Sequence, residues 1–123
     1  MGYVIDWRDK NVHIKYDGDI NINDIFKAGS LITGDLRFGL LNFVISDFLK
    51  VESIKISELD IKKISTRDVI PSIWNPNIKF SIVSNNRDIQ EMVFAYIDLM
   101  KVNEWEIKLF DNLEEAIEWC KKP

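Results

Sequence analysis

The string Leu40-Leu41-Asn42-Phe43-Val44-Ile45 constrains this chain most. It is nearly continuous in apolar character and stops at Ser46-Asp47, and because a strand turns alternate side chains to opposite faces, both faces must be covered. Such a strand belongs in the middle of a largely parallel sheet with helices packed on it. The flanking patterns supply the rest. Tyr3 to Arg8 and Val12 to Tyr16 alternate as two strands around the turn residues Asp9-Lys10-Asn11, a hairpin. After Asp17-Gly18-Asp19, Ile22, Ile25, Phe26 and Ile32 predict a helix over about residues 23–33, with Asn21 or Asn23 as its cap.

Downstream of the central strand, Ser57-Glu58-Leu59-Asp60 has capping-box spacing and opens a second helix through Ile61, Ile64 and Val69. Pro71 lacks the N–H that the helix needs and should kink or split it before Trp74-Asn75-Pro76-Asn77 closes it. Ile78 to Val83 alternates as a strand. Ser84-Asn85-Asn86 then caps a helix whose Ile89, Met92, Val93, Tyr96, Ile97 and Met100 form one buried stripe. Glu104 to Phe110 alternates again, and Leu113, Ala116, Ile117 and Cys120 mark a last helix. The expected fold is α/β, a mixed, largely parallel five-stranded sheet with four helices in the order β-β-α-β-α-β-α-β-α, formed as a single domain over residues 1–123.

Several chemistries are disfavoured. Sixteen Lys and Arg against twenty Asp and Glu give a net charge of −4 with the basic residues scattered, which argues against nucleic acid and against purely electrostatic attachment to anionic lipid. One cysteine and one histidine, Cys120 and His13, make neither a disulfide framework nor a metal site, and His13 reads as a surface residue of the hairpin. No glycine pattern cradles phosphates, so no cofactor is expected. No transmembrane segment or leader is legible, and a cytoplasmic location is expected. Asp47, Ser84, Asn85 and Asp111 stand at the carboxyl ends of predicted strands, where open α/β sheets bind ligands, but each serves equally as a turn or helix cap.

Tyr16-Asp17-Gly18-Asp19, Phe43 to Phe48, Asn75-Pro76, Ile82-Val83, and the C-terminal set Ile107, Phe110, Glu114, Glu115, Ala116 and Trp119 together resemble the SpoIIAA-like family, relatives of the STAS domains of anti-sigma factor antagonists. The resemblance implies a regulatory domain without catalysis that meets a protein partner through the loop after the central strand and the start of the second helix. The antagonists carry Asp-Ser-Ser-Gly there, with a phosphorylated serine. Lys55, Ile56, Ser57 and Glu58 occupy those positions here, and three of the four depart from the pattern. Ser57 remains as the candidate phosphoacceptor, set against its fit as a helix N-cap. The fold is also similar to CRAL-TRIO lipid-binding domains, which implies an apolar, lipid-like ligand or membrane association as the alternative to a protein partner; a homodimer is compatible with either.

The ligand or partner surface expected from the pattern is a gate. An opening at Pro71 would place Ile64, Val69, Ile73 and Trp74 on one side and Met92 and Tyr96 on the other, with Phe94 off the buried stripe.

Overall fold

The computed structural model describes residues 2–123. Strands β1 (Tyr3–Arg8), β2 (Asn11–Asn21), β3 (Phe43–Lys55), β4 (Lys79–Val83) and β5 (Glu106–Phe110) form one sheet in chain order. The β1–β2 pair is antiparallel and the other three are parallel. Helices α1 (Ile22–Thr33), α2 (Glu58–Trp74), α3 (Arg87–Met100) and α4 (Leu113–Lys121) complete the expected order. Three successive parallel crossovers step through the sheet in one direction, and crossovers of one hand must then put α1, α2 and α3 on one face. α4 follows the last strand and makes no crossover, so it is free to fold back over the other face. There Ala116 and Cys120 bury against Phe43, Ile45 and Val83, with Leu113 and Ile117 packed beside them. Val44 and Phe48 face α1–α3 instead, so β3 is covered on both sides, as its composition requires.

Each helix starts on a side-chain cap. Asn21 with Asp24 and Ser57 with Asp60 form reciprocal capping boxes, and Asn86 and Asn112 cap α3 and α4. Among the described residues no helix is long and apolar enough to cross a membrane.

The structure departs from the sequence pattern in four places. β2 does not end at Tyr16 but continues through Asp17-Gly18-Asp19, with register shifts on either side of Asp17-Gly18 and a φ of +67° at Gly18 that favours glycine. β3 correspondingly runs eight residues beyond Asp47, to Lys55, as a parallel ribbon with β2. Residues Leu36–Leu40, between α1 and β3, form a short 3-10 helix. α2 is one helix of 17 residues through Pro71, without the expected split. Its last turn is anchored from outside: the Asn75 amide donates to the Phe38 and Leu41 carbonyls, 2.9 Å each, and the Trp105 indole donates to the Asn75 carbonyl at 2.8 Å. Those contacts offset the backbone bond that proline removes.

Candidate functional site

Between α1, α2, α3 and the sheet lies a cavity of about 130 Å³. Its floor is Ile14, Val44, Ser46 and Ile82 of the sheet; α1 contributes Ile25 and Ile32, α2 contributes Ile61 and Ile64, and α3 contributes Met92, Val93 and Tyr96. Ile54 and Ile56, at the end of the β2–β3 ribbon and just past it, reach its rim, so the unexpected extension of β3 helps to build the wall.

One polar cluster interrupts this lining. Asp68 is buried, and its Oδ2 accepts the Tyr96 hydroxyl at 2.7 Å while its Oδ1 accepts Arg67 Nε at 3.1 Å and Nη2 at 2.9 Å. Arg67 Nη1 lies 3.3 Å from the Ile25 and Phe26 carbonyls, and the guanidinium covers the Phe26 ring at 5.0 Å. α2 is thereby latched to α1. The latch depends on Gly29, because a Cβ there would stand 2.6 Å from Arg67 Nη2. Burial pushes the Asp68 carboxyl above the usual carboxylate range, against the opposing pull of Arg67 and the Tyr96 hydroxyl. Burial, with Asp68 alongside, drives the Tyr96 phenol well up, and burial likewise raises the Tyr16 phenol that stacks on Phe48 at 4.6 Å. The charged side chains of the cavity are occupied with one another. The lining is otherwise mainly apolar, with this charged corner at one side.

Of the residues expected at the gate, the cavity brings together Ile64, Met92 and Tyr96. Val69, Ile73 and Trp74 are not in its wall; they face solvent, Ile73 and Trp74 about two-thirds exposed. The reason is helical phase. The inward stripe of α2 is Ile61-Ser65-Asp68-Ser72, with Pro71 beside it, small and polar for most of its length, and the bulky apolar residues of the second half fall on the outer side. Phe94 is likewise exposed. Arg67, Asp68 and Gly29 were not anticipated. Asp68, seven residues after Ile61 on the buried stripe, was the available signal, since a charge in that phase requires a buried partner.

The other sequence candidates lie elsewhere. His13 is buried rather than on the surface, because β2 turns it to the α4 face; its Nε2 has no hydrogen-bond partner and stands 3.7 Å from Asp47 Oδ2. Burial raises the Asp47 carboxyl, but His13 and the Leu49 N–H, which donates at 2.9 Å, outweigh it and leave the carboxyl below its ordinary value. Among the described residues no group of three or more His, Cys, Asp or Glu side chains could hold a metal ion. Ser84 is buried and its Oγ accepts the Asn86 N–H at 3.1 Å, a turn role. Ser57 Oγ accepts the Asp60 N–H at 3.1 Å as the α2 cap.

No family model matches this chain. No curated protein matches it either. Solved structures do. A protein of the DUF3478 family with a SpoIIAA-like fold, from Shewanella loihica PV-4, superposes with a TM-score of 0.57 at 17% identity, over 96% of this chain and 91% of that one. An anti-sigma factor antagonist from Mycobacterium paratuberculosis gives 0.67 at 12% identity, over 98% and 93%. The Bacillus cell-fate determinant SpoIIAA in its phosphorylated form gives 0.60 at 13% identity, over 97% and 99%. At these identities the likeness concerns architecture, and with the sheet order and helix placement above it means that this chain has the SpoIIAA-like, STAS-type fold.

Proposed function

We propose that this protein is a non-catalytic binding domain that takes an apolar molecule into the cavity between α1–α3 and the sheet. The observation that carries this reading is the cavity itself: about 130 Å³, walled mainly by aliphatic and aromatic side chains, with Ser46 and Thr33 among them and a charged corner at Arg67, Asp68 and Tyr96. An apolar cavity of roughly 150 Å³ stays dry and accepts a benzene-sized guest. As it stands, the site takes a ring or a short alkyl segment; a longer chain would enter by parting α1 from α2 at the Arg67 latch. Native mass spectrometry of freshly purified protein, followed by titration with fatty acids of increasing length, tests this. Retention of a ligand, with slowed hydrogen exchange in residues 65–73 relative to 93–99, is the expected result. Absence of any bound species, together with exchange unchanged by every ligand, refutes it.

A second reading rests on a separate observation. Val69 and Ile70 of α2 and Phe94 of α3 are exposed, and the fold is shared with anti-sigma factor antagonists, so a protein partner would meet the outer side of α2. Pull-down from the native host with wild type and with Phe94→Asp separates the two, because Phe94 is outside the cavity.

A further inference from the structure

Large apolar side chains are left in solvent at one end of the molecule, and they come from three separate helix ends and connections. Leu36 and Leu40 of the 3-10 helix are 100% and 67% exposed, Ile73 and Trp74 close α2, and Val102, just after α3, is 89% exposed. Hydrogen bonds tie these loops together at the amino-terminal edge of the parallel strands. Asn75 binds the Phe38 and Leu41 carbonyls, Trp105 binds Asn75, and the Asn42 N–H donates to the Lys10 carbonyl at 2.7 Å.

The same edge carries basic charge. A cleft of about 430 Å³ runs beside these loops, lined by Lys10, Asn42, Asn77, Lys79, Lys121 and Lys122, with Asp9 the one carboxylate in its wall. Lys79 Nζ is committed to the carbonyls of Trp119 and Lys122, 3.2 and 2.6 Å away, which pins the end of α4 to the cleft and leaves the exposed Lys10, Lys121 and Lys122 facing solvent. Acidic residues gather at the opposite end, where the helices begin, among them Asp17, Asp19, Glu58, Asp88 and Glu114. Glu104 and Glu106 are exposed at the lysine-bearing edge too, so its basic character is confined to the cleft.

We propose that this end docks onto an anionic lipid surface, with Leu36, Leu40, Trp74 and Val102 entering the interface and the lysine cleft receiving phosphate headgroups. A lipid surface fits better than a folded protein because the apolar side chains project singly from separate helix ends and connections, and a deformable apolar layer edged by negative charge complements both them and the lysine cleft. Trp at such a boundary keeps its ring in the apolar layer and its N–H in the wet one. The acidic opposite end is repelled by the same surface, which sets the orientation. The docked edge also borders Phe38, Ile78 and Trp105 of the cavity wall. The inference does not rest on the cavity being a ligand site.

The test is co-sedimentation of the full chain with vesicles of phosphatidylcholine alone and of phosphatidylcholine with about a third phosphatidylserine. The expected result is binding to the second and not the first, reversed by raised salt. Leu36→Asp with Val102→Asp, both at positions too exposed to matter for folding, should abolish it, and Lys121→Glu with Lys122→Glu should weaken it by on the order of tenfold or more. No sedimentation with either vesicle overturns the proposal, as does sedimentation unaffected by both double variants. So does self-association in analytical ultracentrifugation that Leu36→Asp with Val102→Asp removes while vesicles go unbound, which would assign the patch to a second copy of the chain.

Discussion

Removing one oxygen at the polar corner of the cavity tests the energetic account directly. In Tyr96→Phe the ring keeps its place, but Asp68 Oδ2 loses a 2.7 Å hydrogen bond inside a site where both residues are buried. A hydrogen bond to a charged group is worth about 1.5–3 kcal/mol, and the oxygen left without it is buried, so a loss of about 2 kcal/mol is expected. For a chain of 123 residues this lowers Tm by roughly 6–10 °C. The loss should depend on pH with a definite sign. Because burial already raises the Asp68 carboxyl, whatever stability that group contributes is fully present below its unfolded value of 3.8 and is lost as pH rises through its folded value. The Tyr96 hydroxyl favours the ionised form and limits that loss, so Tyr96→Phe moves the Asp68 proton affinity further up. The gap between wild type and variant is therefore widest where Asp68 is ionised in both and narrows as acid protonates it in both, by about 1.4 kcal/mol for each unit of added shift. Urea unfolding of both proteins across that titration measures it. A gap under about 0.5 kcal/mol, or one that widens in acid, refutes the reasoning. In an Asp68→Asn background the cost of Tyr96→Phe should largely vanish, since the two residues act as a pair.

Three further outcomes follow from other parts of the fold. Ile78→Ala removes a side chain that is only 1% exposed beneath α2 and α3 and should cost about 2–5 kcal/mol in chemical denaturation; a cost under 1 kcal/mol would mean that the cavity beside it collapses freely. Ser57→Ala should cost about 1 kcal/mol while Ser57→Asp retains the cap, and intact-mass analysis of protein from native cells should show no stoichiometric phosphate on Ser57 or Ser53; a mostly phosphorylated Ser57 would restore the switch that Ile56 and Glu58 otherwise argue against. Hydrogen bonds from Arg37 hold the Asp35 carboxyl down to about 2, so the contribution of that pair to the Leu36–Leu40 turn is complete above the ordinary value of 3.8 and disappears as pH falls through about 2; a carboxyl resonance of Asp35 titrating near 4 by NMR would contradict it.

Much of the fold was legible because local chemistry and hydrophobic period agree. The Ser57–Asp60 box, the Asn86 and Asn112 caps and the stripe from Ile89 to Met100 determine α2, α3 and α4 by contacts within a few residues, and the doubly apolar Phe43–Ile45 determines a covered central strand. The order of elements and the directionality of crossovers then leave few ways to assemble them. What the sequence could not determine depends on contacts between distant residues. β3 runs on to Lys55 because β2 lies alongside to accept its backbone bonds, a pairing invisible in the polar and mixed string from Asp47 to Lys55. α2 survives Pro71 because Asn75 is tied to Phe38, Leu41 and Trp105, up to 37 residues away. The same distinction divides the candidate site. Met92 and Tyr96 announced themselves by period, whereas the small polar inner stripe of α2, the bulky outer one and the Arg67 latch on Gly29 arise from how closely α1 and α2 approach. Helical period records which residues share a face; only packing against a neighbour decides which face is turned inward.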